Sequence, residues 1–173
     1  MTASEGQDGR LSEFTLAALE GTGWYTPDYS MADPLFWGKG KGCEFLDQTC
    51  YNKDAHEARF PDEFCSTRKA SGCTFTGRAK AVCGTRNDYT DSLLSPSFNY
   101  FGDNSVMLDP FCDNCPYFYG ISNLGCTNPS NTIKEISEEF YGPGSMCFMG
   151  TVSRNAALSS PIAYCFKQTV ITN

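Results

Sequence analysis

The chain has 173 residues, with 13 basic and 20 acidic side chains and a net charge of −7, which weighs against nucleic acid as a partner. That length can bury a real core unaided, yet the chain carries ten cysteines at a mean hydropathy of −0.35. No apolar run approaches the roughly 20 residues needed to cross a bilayer.

Residues 1–10, MTASEGQDGR, are polar and lack the apolar core of a secretory signal. An even number of cysteines in Gly-, Pro-, Asn- and Ser-rich sequence nevertheless suits a disulfide framework made in an oxidising compartment, whereas ten reduced thiols in a cytosolic fold is the alternative. The expectation is therefore a fragment or processed product whose start lies upstream. No Asn-x-Ser/Thr sequon occurs, and the C-terminal KQTVITN has no hydrophobic tail of the glycolipid-anchor kind.

The first predicted element is a helix beginning after Ser12. Ser12 is a good N-cap, Leu11 and Leu16 are placed as a hydrophobic staple, Glu13 suits the helix dipole, and Gly21 stands where a left-handed C-terminal cap is wanted. Phe14, Leu16, Ala17, Ala18 and Leu19 make it apolar nearly all round, which predicts a buried helix. Trp24, Tyr25, Met31, Leu35, Phe36 and Trp37 follow, and this aromatic payload predicts a segment wrapped over the domain. GKGKG at 38–42 lacks phosphate-loop spacing and reads as a turn.

All ten cysteines lie from Cys43 onward, so a boundary is placed there: residues 1–48 as the end of one domain, 49–173 as a cysteine-rich domain. Strands are expected at Val106 to Leu108, Tyr117 to Ile121 and Ile162 to Val170. A short helix is expected over Thr132 to Tyr141, stopped by Gly142-Pro143-Gly144. Seven basic residues between Lys53 and Arg86 face only four acids. A solvated face explains them better than a docking patch for anionic glycans or lipid headgroups.

Candidate chemistry is sparse. The one histidine is His56, in HEARF; a helical H-E-x-x-H zinc site needs a second histidine at position 60, which is Phe. Neither a three-histidine metal site nor a Ser-His-Asp or Cys-His pair can be built from these residues, and His56 reads as a surface side chain. Cys112-Asp-Asn-Cys115 has redox-pair and zinc readings, but two structural cysteines with different partners fit its context better. Glu138 and Glu139 point apart on a helix and read as a solvated face.

One stretch is more specific. LSEFTLAALEGTGWYTPDYSMADPLFWGKGKGCEFLDQTC, above all Thr15 to Tyr25 and Trp37 to Cys50, resembles the leishmanolysin family of zinc metalloendopeptidases of the metzincin group. Beyond it the likeness is carried by cysteine order and by Cys115-Pro116.

The resemblance implies an α+β fold: the end of a metzincin catalytic domain, with its methionine turn and C-terminal helix, then a disulfide-rich, loop-rich domain of short strands and helices. Met1 would be the methionine of the turn beneath the zinc. Carried over by position, the disulfides would join Cys50 to Cys115, Cys65 to Cys83, Cys73 to Cys147 and Cys126 to Cys165. Cys43 and Cys112 stay unassigned; by the resemblance the family partner of Cys43 would lie upstream, and in the isolated chain the two would pair with each other by default.

For the parent protein the resemblance implies peptide-bond hydrolysis by a zinc-polarised water with a glutamate as general base. Protein or peptide substrates would be bound through the missing half, at the cell surface or outside the cell, with membrane association and a role in cell adhesion. The chain itself, lacking the H-E-x-x-H helix, is expected to hold no catalytic or metal-ligating residue, to bind no zinc and to be inactive alone. A non-enzymatic, disulfide-stapled adhesion or binding module is the alternative, and a cytosolic zinc-binding protein a third. A fragment missing its covering half would expose Phe14, Leu16 and Leu19 and be sticky.

Overall fold

In the computed structural model, which describes residues 10–84, 88–89, 100–101, 106–107, 115–131, 139–151 and 160–169, Ser12 opens helix α1 (Glu13–Gly21). The Thr15 N–H donates to Ser12 Oγ at 3.3 Å, satisfying one of the amide donors that a helix start leaves orphaned. The end differs from expectation. Gly21 is still helical, Thr22 caps with right-handed φ and ψ, and the left-handed residue is Gly23, at φ 74°.

The expected burial of α1 is also corrected. Leu16 alone is buried, Leu19 is half-buried, and Phe14 is 75% exposed. Leu11 is exposed as well. The helix is apolar nearly all round, but among the described residues only the Leu16 side is covered, and composition could not say which side that is.

A 3₁₀ turn (Tyr29–Met31) follows. The segment folds back on α1: the Asp33 N–H donates to the Leu11 carbonyl at 2.8 Å, and the Tyr29 hydroxyl donates to Glu20 Oε2 at 2.7 Å. It does not wrap over the domain, because Trp24, Tyr25, Met31 and Phe36 face outward. Trp37 is the anchor, standing edge-on to Phe45, Phe64 and Phe75 with centroids 6.3, 5.2 and 5.0 Å away.

The GKGKG turn has Gly38, Gly40 and Gly42 all at positive φ, a region that costs side-chain-bearing residues strain. Buried Glu63 ties it down, accepting the Gly38 N–H at Oε1 (3.1 Å), while Lys41 pairs with Asp62. A short helix α2 (Glu44–Asp47) leads from it.

Among the described residues nine short strands follow, all paired antiparallel. β1 (Tyr51–Asn52) pairs with β2 (Glu57–Ala58), and β5 (Asp88–Tyr89) with β6 (Val106–Met107). β3 (Ser71–Cys73), β4 (Ala79–Gly84) and β7 (Tyr117–Gly125) form a three-stranded sheet with β4 in the middle. β8 (Ser145–Gly150) and β9 (Ile162–Lys167) form a hairpin beside it.

Of the expected strands, the first is present at Val106–Met107, with Leu108 outside the described residues. The second runs on to Gly125, and the third stops at Lys167. The helix expected over Thr132 to Tyr141 falls mainly on 132–138, outside the described residues, and Glu139 to Tyr141 are not helical.

Among the described residues two apolar clusters hold these pieces. One gathers Cys50, Tyr51, Ala58, Phe60, Phe64 and Cys115, with Trp37 and Phe45 packed against it; the other gathers Cys126, Tyr141, Cys147, Ala163 and Cys165, with Cys73. Gly72 in β3 is required by packing, because a Cβ there would run into the Phe118 ring. Gly72→Ala is therefore expected to destabilise the chain by about 1–3 kcal/mol, measured as a lower urea midpoint.

Candidate functional site

Among the described residues four disulfides carry the covalent frame: Cys50–Cys115, Cys65–Cys83, Cys73–Cys147 and Cys126–Cys165, with Cα separations of 6.0, 5.8, 5.6 and 5.3 Å. These lie within the span that a disulfide bridges. Cys43 is exposed and in no disulfide; Cys112, its expected default partner, lies outside the described residues, as does Met1.

The buried chemistry lies between the three-stranded sheet and the β8–β9 hairpin. Lys80, on the central strand, approaches Glu139 Oε1 at 2.6 Å, with side-chain exposures of 4% and 0%. Its ammonium stands 5.9 and 6.0 Å from the ring centres of Tyr141 and Tyr164. Glu139 Oε1 also accepts the Cys165 N–H at 3.1 Å.

Burial pulls the Lys80 pKa down, but the hydrogen bond and charge of Glu139 outweigh it and leave the ammonium above the ordinary lysine value. A pair sealed from solvent cannot meet a substrate, so its role is to clamp hairpin to sheet. It also corrects two sequence expectations: Glu139 is no solvated face, and Lys80 drops out of the exposed basic run. Glu138 lies outside the described residues. Sequence offered one faint signal, a lone lysine inside the apolar AKAVCG, since a charge at the centre of a sheet must find a partner.

A groove of about 440 Å³ lies on the first cluster's outer side, lined by Glu44, Gln48, Asn52, Glu57 and Arg59 among others. It brings two carboxylates near a guanidinium but no histidine, cysteine or hydroxyl nucleophile. His56 is exposed on the β1–β2 turn at φ 54°. Among the described residues no group of three or more His, Cys, Asp or Glu side chains converges to hold a metal ion. The described residues therefore do not fit a zinc site.

The remaining candidate is a surface. Phe14 is 75% exposed, Trp24 84%, Tyr25 57%, Met31 69% and Phe36 50%. Phe14 lies on α1 and the other four on the segment that follows it. Large apolar side chains left exposed in one short stretch of chain are candidates for contact with another surface.

The family model for leishmanolysin (Peptidase M8) matches residues 1–168. The chain is 33% identical to a leishmanolysin-like peptidase of Drosophila pseudoobscura pseudoobscura, over 86% of this chain and 26% of that protein. It is 28% identical to a ciliated left-right organizer metallopeptidase of Danio rerio, over 91% and 22%. It is 30% identical to leishmanolysin of Leishmania donovani, over 68% and 20%. The chain thus spans between a fifth and about a quarter of the length of these relatives.

Proposed function

The chain belongs to the leishmanolysin family of peptidases, and from that premise we propose that it is the C-terminal portion of a zinc metalloendopeptidase. Residues 1–48 are the end of the catalytic domain, with Met1 in the methionine turn and α1 as the domain's last helix. Residues 49–173 are the cysteine-rich domain. The observation that carries this is the exposure of Phe14, Trp24, Tyr25, Met31 and Phe36 in the opening segment, on a chain that spans about a quarter of its relatives. These side chains are the seat of the catalytic half.

The whole protein then cleaves protein or peptide substrates at the cell surface or outside the cell, where disulfides persist, and association with membranes and a part in cell adhesion belong to the same proposal. Zinc and its ligands belong to the other half. The residues of this chain contribute a floor and a covalently braced support, and they neither bind catalytic zinc nor cleave peptide by themselves.

The test compares the purified 173-residue chain with a longer product read from genomic sequence upstream of Met1, both given zinc and a quenched-fluorescence peptide library. The longer product is expected to cleave with chelator sensitivity, and the short chain to give no turnover above buffer. Chelator-sensitive cleavage by the short chain alone would falsify the division of labour. An upstream stop codon next to a signal peptide would leave a non-enzymatic adhesion module instead.

A further inference from the structure

The second apolar cluster contains two disulfides side by side, and the hairpin register says how they meet. In the β8–β9 pairing Cys147 stands opposite Cys165. Their backbone groups point away from each other: the Cys147 N–H donates to the Gly77 carbonyl at 2.6 Å, the Cys165 carbonyl accepts the Phe140 N–H at 2.9 Å, and the Cys165 N–H goes to Glu139. The two cysteines are therefore a non-hydrogen-bonded pair, the register in which opposite Cα atoms lie about 4.5 Å apart and side chains come closest. That separation falls within the range a disulfide spans. Yet each cysteine is bonded elsewhere, Cys147 to Cys73 in the sheet and Cys165 to Cys126 at the end of β7.

We infer that this double bridge is a redox-sensitive latch, which a thiol reductant converts from two ties between hairpin and sheet into one Cys147–Cys165 tie within the hairpin. Attack begins at Cys73, which is half-buried, while Cys126 and Cys165 are fully buried and Cys147 nearly so. The incoming thiolate bonds to Cys73 Sγ, the Cys73–Cys147 bond breaks, and Cys147 leaves as a thiolate. That thiolate attacks Cys165 Sγ, forming Cys147–Cys165 and releasing Cys126 as a thiolate, which takes a proton. A second reductant thiol clears Cys73, leaving it reduced and the reductant oxidised to its disulfide. Two thiols are oxidised and one disulfide of the chain is lost, so electrons balance.

The consequence is mechanical. After exchange no disulfide holds the hairpin to the sheet, and the tie rests on non-covalent contacts such as the Lys80–Glu139 pair, the Ala163 N–H to Ser71 Oγ bond (3.2 Å) and the packing of buried Tyr164. The latch is open while the hairpin stays stapled to itself.

The experiment is graded reduction of the unaltered chain with dithiothreitol, acid quench, alkylation and peptide mapping, beside the Cys73→Ser/Cys126→Ser variant oxidised in air. The expected result is a main species that has lost one disulfide, newly alkylated at Cys73 and Cys126 and bridged Cys147–Cys165, with Cys43 alkylated before and after reduction, and the same bridge in the variant. A species newly alkylated at Cys73 and Cys147, with Cys126–Cys165 intact and no trace of the cross-strand bridge, would overturn the proposal. The unaltered chain decides the question even where the variant does not fold.

Discussion

Replacing Glu139 with leucine is expected to destabilise the chain by about 3–5 kcal/mol, the usual loss when one partner of a buried ion pair is removed and the other charge stays buried. Lys80 has nowhere to go: its side chain is 4% exposed, on the central strand of the sheet. The substitution also strips the Cys165 N–H of its acceptor, and an orphaned buried donor alone costs about 1–3 kcal/mol. Lys80→Met should fall in the same range, from the opposite side. The double variant Lys80→Met/Glu139→Leu should recover most of the loss, because neither charge is left, and retain only the amide's share. Urea titrations of the four chains form a cycle, and single variants within about 1 kcal/mol of the unaltered chain would show that the pair is not buried.

The same pair sets an alkaline signature. Because the folded chain holds the Lys80 pKa above its ordinary 10.5, the stabilisation is complete below that pH and fades as pH climbs through the raised value. The unaltered chain should therefore lose stability at high pH more steeply than the double variant.

Removing the Cys50–Cys115 bridge as a pair of serines is the other large loss. It closes a loop of sequence separation 65, for which chain-entropy arithmetic gives about 4 kcal/mol. Both half-cystines are buried among Tyr51, Phe60 and Phe64, so serine adds buried hydroxyls to the lost crosslink. Against the roughly 5–15 kcal/mol that holds a typical domain together, this is a large fraction. It should appear as a lower thermal midpoint under non-reducing conditions; a midpoint unchanged within error would mean that the bridge is dispensable.

What the sequence made legible was local. Ser12 caps α1 because a hydroxyl three residues from an amide needs no distant partner, and the glycines of GKGKG declare a turn by backbone freedom alone. The β-branched and aromatic run at Ile162 is a strand in the structure. By contrast β4 and β8 were missed. AKAVCG is buried on both faces at the middle of a sheet and shows no alternation to detect, and SMCFMG hides its period behind glycine and sulfur. Lys80 and Glu139 looked solvated because their partnership joins distant parts of the chain, and no local rule places a charge inside. The cysteine count pointed to a crosslinked fold, whereas which cysteine meets which came only with the family resemblance. Leu16 as the one buried residue of α1 depended on a neighbour that composition does not name.

The two tryptophans occupy opposite surroundings: Trp24 is 84% exposed, whereas Trp37 is ringed by Phe45, Phe64 and Phe75. The chain thus carries two built-in fluorophores with separate audiences. Iodide in solution can reach the indole of Trp24 and silence it, leaving emission from Trp37 to follow the aromatic cluster beside Cys50–Cys115. Covering of the opening segment by another protein surface and melting of the cysteine-rich core can therefore be watched in one cuvette, as two signals from the same molecule.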